Sequence, residues 1–341
     1  MSGIIGIDLG AGSIKAVALN REGTNLELAA IGEVKNPVFE WLKSEDNKKE
    51  VSEVAKAVSG LVKDLKLSDR RVVTALPEYE IVSRLVSLPP LKESEIKDAL
   101  KFEAETFVPY PLDEVSIDYE VVESDDAGRL TVFVIAAKNT LIQSYIKVFK
   151  EAGMELVAIE SPAVTMRRVV KQMGSNFEAT MLVDIGGKYS NIVAFRNGTI
   201  YFARSMPVGG ESLTRAISVN LGLDMASAEE YKKAYGIKDM ELEGKIKNAI
   251  MPVFSSMAEE IRRAIALFNE NNKVAINLLI LSGGGAKMPG LAEELTRLLG
   301  IEVQVIQPFT NINTTKIVLP IDLNSEGYRF SLAAGLAMRE G

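Results

Sequence analysis

The sequence predicts an α/β fold built of two related lobes, and three observations lead to it. The stretch "IIGIDLGAGSIKAVAL" (Ile4–Leu19) is an apolar strand carrying one acid, Asp8, broken at glycines and resumed as a strand; "MLVDIGGKYSNIVAF" (Met181–Phe195) repeats this with Asp184 in the matching place. Later, "NLLILSGGGAKMPGLAEELTRLLG" reads as a strand, a triple-glycine turn and a helix. Finally, 341 residues, 47% of them hydrophobic and 25% charged, exceed what one core usually holds. Either copy of the first motif, taken alone, reads as well as a tight hairpin with an exposed acid. Two copies with the acid in register favour two half-sites facing each other.

The elements follow in order. Residues 4–19 and 26–34 alternate as strands around the turn "REGTN". In 47–66, Val51, Val54, Ala55, Val58, Leu61, Val62 and Leu65 recur at helical spacing, and "RVVTALP" is a short buried strand stopped at Pro77. Residues 81–159 read β-α-β-β-α-β, an order that folds as a small subdomain. Its first helix, from about Glu93, is expected to turn Ile96, Leu100, Phe102 and Phe107 inward and to end before Pro109 and Pro111. A second helix spans 140–151. Asn197-Gly198 is a two-residue hairpin turn, 211–272 is mostly helical, and "FSLAAGLAMRE" is a closing helix.

Composition narrows the chemistry. The chain has no cysteine and no histidine, which removes thiolate and imidazole metal sites and Ser-His-Asp catalysis. Any site rests on carboxylates, Lys/Arg, hydroxyls and backbone amides. A net charge of −7 argues against nucleic acid as the partner. No apolar run reaches the ~20 residues of a membrane span, and the N-terminus has no basic region typical of a signal peptide, so a cytoplasmic location is expected.

Glycines between strands leave backbone N–H groups free to meet an anion. In the first copy Gly10, Gly12 and Ser13 form such a turn, with Lys15 placed to meet a phosphate; in the second, Gly186 and Gly187 follow Asp184. A carboxylate repels phosphate, so Asp8 and Asp184 suit a hydrated Mg²⁺. The triple glycine, Gly283, Gly284 and Gly285, lets a flat ring or sugar approach the backbone, helped by the following helix N-terminus; the plainer reading is a close strand–helix turn. The chain lacks G-x-x-x-x-G-K-[ST] and a full G-x-G-x-x-G, so P-loop and Rossmann readings fail.

The order of these elements resembles the actin, sugar kinase and Hsp70 superfamily across almost the whole chain. "IGIDLGAGSIKAVAL" looks like the first phosphate loop, "IESPAVTMRRVV" the first connecting helix, "LVDIGGKYSNIVAF" the second phosphate loop, "LLILSGGGAKMPGL" the adenosine motif and "SLAAGLAMRE" the second connecting helix. The resemblance implies an actin-like two-lobed ATPase fold with duplicated βββαβα cores. Within the superfamily, "LVSLPPLKESEIKDALKFEAETFVPYPLDEVSIDYEVV" resembles the 1C insertion of the PilM and FtsA type, and the PilM family of type IV pilus assembly is the nearest likeness. That implies domain 1A over 1–83 and 156–176, 1C over 84–155, 2A over 177–212 and 274–341, and 2B over 213–273.

The resemblance further implies ATP and Mg²⁺ between the lobes. Nucleotide contacts fall to Asp8, Gly10, Ala11, Gly12, Ser13, Lys15, Gly186, Gly187, Lys188, Gly209, Gly210, Gly283, Gly284, Gly285 and Lys287, with Asp8 and Asp184 at the metal. Glu260 and Arg263, in "SMAEEIRRAIALF", would lie beside the nucleoside; from the residues alone they read as a solvated i,i+3 ion pair. By analogy Glu160 or Asp184 would orient water for a slow hydrolysis. The implied partner is the N-terminal cytoplasmic segment of a PilN-like inner-membrane protein, bound in a groove by 1A and 1C, beside other pilus assembly proteins. FtsA-like proteins continue into an amphipathic membrane-targeting helix, whereas this sequence ends at Gly341, so membrane contact is expected only through a partner; a homo-oligomer stays open. The alternatives are an FtsA-like filament former, a small-molecule kinase and a platform like that of type II secretion.

Overall fold

The computed structural model describes residues 3–38, 47–174, 178–238, 241–315, 317 and 319–340. The chain opens with β1 (Ile4–Leu9), β2 (Ser13–Glu22) and β3 (Asn25–Lys35), an antiparallel meander, then α1 (Lys48–Asp64) and β4 (Arg71–Ala75), which returns parallel to β1. Crossing over through α1 is what a parallel return requires, and the helix buries the periodic stripe Val51, Val54, Val58 and Val62 against the sheet. An insertion follows: β5 (Ile81–Leu88), α2 (Glu93–Glu105), β6 (Val115–Ser124), β7 (Leu130–Lys138) and α3 (Asn139–Glu151). The chain then re-enters the first sheet as β8 (Glu155–Glu160), beside β4, and runs on into α4 (Pro162–Gln172).

The second half repeats the plan with β9 (Ala179–Ile185), β10 (Ser190–Arg196) and β11 (Thr199–Met206). Asn197 and Gly198 both take positive φ (50° and 71°), the conformation a tight two-residue hairpin needs. Helices α5 (Gly210–Leu221), α6 (Met225–Tyr235) and α7 (Lys245–Asn272) lead to β12 (Leu278–Ser282), α8 (Leu291–Leu299) and β13 (Glu302–Val305). The short β14 (Ile312–Asn313), α9 (Leu323–Glu326) and α10 (Ser331–Ala337) close the described chain.

The first sheet runs β14-β3-β2-β1-β4-β8 and the second β11-β10-β9-β12-β13. Without β14 the two orders are the same: meander, first strand in the middle, then two parallel strands. The acids Asp8 and Asp184 therefore sit near the ends of equivalent central strands. Each of these strands is buried on both faces, which explains their near-continuous apolar character.

Three expectations need correction. β8, the last strand of the expected β-α-β-β-α-β unit, pairs with β4; the insertion's own sheet has three strands, β5-β7-β6. Phe102 is 74% exposed: Ile96, Leu100 and Ala104 form the buried stripe of α2 at steps of four, and Phe102 falls midway between them, on the opposite side. The segment assigned wholly to the second lobe does not stay there. β14 pairs with β3, and α10 packs so tightly on β1 that a Cβ at Gly6 would lie 2.0 Å from the Ala333 carbonyl. The expected 1A–2A boundary at 176/177 lies outside the described residues.

Candidate nucleotide site between two glycine loops

The first loop joins β1 to β2, and the antiparallel register sets Asp8 opposite Lys15. Lys15 Nζ donates to Ser13 Oγ at 2.6 Å and lies 3.7 Å from Glu33 Oε1. Glu33 in turn pairs with Arg329 at 3.1 Å. The turn is held shut by Asn36: its Nδ2 donates to the Gly10 carbonyl at 2.9 Å and its backbone N–H to the Gly12 carbonyl at 3.2 Å. A Cβ on Gly10 would come within 2.9 Å of the Ser13 carbonyl. Ala11 is half-buried, whereas Gly12 is exposed with no atom within 4 Å of where its Cβ would stand.

The second loop joins β9 to β10. Asp184 faces Asn191 on β10 and Ser282 on β12. The Gly186 N–H donates to the Tyr189 carbonyl at 3.0 Å, and the Gly186 and Gly187 carbonyls accept from Gly210 N–H (2.9 Å) and Glu211 N–H (2.7 Å) at the start of α5. This backbone contact excludes side chains: a Cβ on Gly209 would lie 2.6 Å from the Gly187 carbonyl. Lys188 places its ammonium over the Tyr189 ring, and Gly187, like Gly12, is exposed over open space. The triple glycine closes on the same loop. Gly285 N–H donates to the Ile185 carbonyl at 3.0 Å, and Gly283, at φ +79°, leaves 2.9 Å between its Cβ position and Asp184 Oδ1.

Electrostatics tie the two loops together. Burial raises the Asp184 carboxyl to about 6; the Ser282 hydroxyl opposes this, the Asp8 charge adds to it, and the Lys15 ammonium lowers it. Asp8 is likewise raised, first by burial, against Lys15 and with a further push from Glu33. Two half-buried carboxylates share one ammonium, an arrangement that a divalent cation would balance. Among the described residues no group of three or more His, Cys, Asp or Glu forms a metal cage; two carboxylates, Asp8 and Asp184, are a donor set that suits a cation keeping much of its water.

Other expected site residues lie elsewhere or are otherwise engaged. Glu160 is not free to orient water: its Oε1 accepts from Arg339 at 2.5 Å, and its Oε2 accepts from Thr165 Oγ1 at 2.8 Å and from Arg168. A carboxylate with both oxygens taken by guanidinium groups ties α4 to the end of the chain, and Glu160 would have to leave these partners to orient water. Glu260 pairs with Arg263 at 3.1 Å and with Arg204 of β11 at 2.9 Å, as the ion-pair reading expects. Lys287 donates to the carbonyls of Asn324 and Ser325 at 2.8 and 3.1 Å, and Gly284 is exposed. The triple glycine opens a run of turns and α8 begins only at Leu291, so no helix N-terminus stands at Gly283–Gly285.

Sequence reasoning missed two features. Asn36 looks like any turn residue until the fold brings it over the Gly10 loop. Lys232, 8% exposed, donates to the Gly210 carbonyl (2.9 Å), Thr214 Oγ1 (2.8 Å) and Glu229 Oε2 (2.6 Å), which fastens α6 to the glycine step beside Gly186. The sequence signal for it was present: a Glu–Lys pair at i,i+3 near a helix end, followed by Gly236 at φ +54°.

Two sheets of the same strand order, with an acid and a glycine loop at the end of each central strand, define the actin-like ATPase fold. The chain belongs to the family described as Type IV pilus assembly protein PilM, whose model matches residues 6–341. A solved structure titled PilM-PilN type IV pilus biogenesis complex superposes with a TM-score of 0.87 at 25% identity, covering 98% of both chains. MreB5 of Spiroplasma citri bound to ADP shares the fold, with a TM-score of 0.53, 15% identity, and 98% and 95% of the chains covered. Cell division protein FtsA of Bacillus subtilis is 25% identical over 276 residues, 74% of this chain but 59% of FtsA, so the chain spans less than two-thirds of that relative. Among the described residues no helix is long and apolar enough to cross a membrane.

Proposed function

We propose that the chain is an ATP-binding scaffold of type IV pilus assembly that receives the N-terminal segment of a PilN-like inner-membrane protein. The likeness over 98% of both chains to a protein solved as a PilM-PilN complex carries this reading. In it the nucleotide lies between the Gly10 and Gly186 loops. The exposed Gly12 and Gly187 offer backbone N–H groups to phosphate with no side chain in the way, and Lys15 supplies a positive charge. Asp8 and Asp184 would hold Mg²⁺ through water; when bound, the ion would offset phosphate charge and order water near the γ-phosphate. Asp184, or Glu160 once released from its partners, would orient that water, and tight binding with slow turnover is expected. Glu260 and Arg263 would be the charged pair beside the nucleoside, while Glu229 and Lys232 brace the glycine step.

The partner segment would lie in a groove of 1A and 1C as an extended peptide, gaining main-chain and pocket contacts without chemistry. The division into 1A, 1C, 2A and 2B, with β14 and α10 moved from 2A to the first sheet, belongs to this reading, as do attachment to the inner membrane through the partner, other pilus assembly proteins as neighbours, and any self-association. Calorimetry on nucleotide-free protein tests the first half: ATP with Mg²⁺ is expected to bind, and absence of heat at saturating ATP sinks the site. A labelled peptide of the partner's N-terminal segment, titrated with and without ATP, tests the second half. An FtsA-like filament former, favoured by the FtsA match, would instead sediment with ATP.

A further inference from the structure

The insertion meets both lobes, and the two contacts differ in kind. Toward the first lobe it is packed as core: Tyr145, Val148 and Phe149 of α3 are buried with Val51, Val58 and Val62 of α1. The turn that leads into β5, Glu78–Glu80, is tied to the same lobe, since Glu78 takes the Ala163 N–H of α4. Toward the second lobe Phe133 joins the core that holds Phe195 and Ile200, and the rim is closed by single side-chain contacts. The Ser83 hydroxyl donates to the Ala203 carbonyl at 3.4 Å, and the Tyr201 hydroxyl to Glu123 of β6 at 2.8 Å. Among the described residues β5 and β11 form no ladder, so this rim can part without breaking a sheet.

One rim contact reaches the second glycine loop. Tyr79, in the turn before β5, stacks on Tyr189 with ring centroids 4.0 Å apart and planes 17° from parallel. Tyr189 is part of the loop itself: its carbonyl accepts from the Gly186 N–H at 3.0 Å, and the Lys188 ammonium lies 5.6 Å from its ring centroid. An anion seated at Gly187 would attract that ammonium and order the turn that carries Tyr189. Tyr79 is 43% exposed, and a cleft of about 350 Å³ lined by both tyrosines gives the rings room to separate. A single aromatic pair is a weak contact, so ordering one ring shifts the balance between stacked and parted states.

We propose that the Tyr79–Tyr189 stack couples the glycine-loop site to the insertion: nucleotide in the loops favours the stacked state and so fixes the start of β5. This rests on the reading that nucleotide lies at these loops. Linkage is reciprocal, so whatever holds the insertion in its stacked position raises nucleotide affinity by the same factor. Hydrogen–deuterium exchange of the full chain, read by mass spectrometry on peptides spanning 78–88, tests it without ligand and with Mg²⁺ and a non-hydrolysable ATP analogue. Wild type is expected to exchange there about threefold or more slowly when the analogue is bound. Tyr79→Ala is expected to lose that slowing while binding the analogue within about fivefold of wild type. Tyr79→Leu, which fills the space without a ring, should match it, and Tyr79→Phe should keep the slowing. Calorimetry on the same samples separates the two readings. No heat sinks the nucleotide site and the coupling with it; heat without slowing in wild type overturns the coupling alone. Slowing that persists in folded Tyr79→Ala or Tyr79→Leu, or that Tyr79→Phe also loses, overturns it as well, because the ring then does not carry the signal.

Discussion

The two glycine loops share a motif but are braced by different physics. The first is braced by side chains: Lys15 between Ser13 and Glu33, Arg329 on Glu33, and Asn36 on both ends of the turn. Behind it, Glu160 gathers Thr165, Arg168 and Arg339 and so ties α4 to the end of the chain. The second is braced by backbone: the Ile185, Gly186 and Gly187 carbonyls accept from Gly285, Gly210 and Glu211. The two loops share the acid and the open glycine, while their supports differ. One loop should therefore respond to charge, the other to a methyl group.

The largest effect is expected from Gly283→Ala. The position has φ +79°, and the added Cβ would lie 2.5 Å from the Ile185 carbonyl. Backbone strain and overlap together should cost about 3 kcal/mol or more, read by urea unfolding, while an alanine at the open Gly284 leaves the midpoint unmoved. On the first side, Glu160→Gln strands two guanidinium groups around a buried site and should cost about 3 kcal/mol. If Glu160→Gln instead preserves stability and abolishes ATP turnover, Glu160 acts as a catalytic residue and the contrast between the loops weakens.

A comparable effect is expected at Glu78, which burial raises from 4.5 to about 7, against the Ala163 N–H. The folded protein then holds a proton that the unfolded chain releases near pH 4.5. Stability from this group is full below that pH and is lost as pH rises toward 7, by about 3 kcal/mol. Glu78→Gln should flatten the change between pH 5 and 7.5, measured by denaturant melts at each pH. Asp184, raised to about 6, must be ionised to meet a cation. Mg²⁺-ATP affinity is expected to fall about tenfold per pH unit below that value, and Asp184→Asn should abolish this dependence. The smallest structural effect belongs to Gly12→Ala and Gly187→Ala. Both positions are open, so folding stays within about 0.5 kcal/mol of wild type while each methyl weakens phosphate binding measured by calorimetry.

Most of the architecture was legible because period and punctuation are local. The strands around Asp8 and Asp184, the Asn197-Gly198 hairpin and α1 are written in residues a few positions apart. Phe102 misled because an aromatic in a helical window suggests a core position, whereas α2 buries a narrow stripe that skips it. Glu160 and Glu260 looked available because a sequence shows an acid without its partners. Arg339 lies far along the chain from Glu160, and Arg204 comes to Glu260 from another element.

By itself, the sequence determined the two acid–glycine loops, the class of fold and the absence of histidine and cysteine chemistry, since each depends on residue type and short spacing. Only the tertiary structure decided that Asp8, Lys15 and Asp184 share one field, and that Glu160 is bound while Glu78 is left half-paired. It also placed β14 and α10 against the first sheet rather than the second. These outcomes turn on which distant groups meet, and burial then sets the charge each one carries.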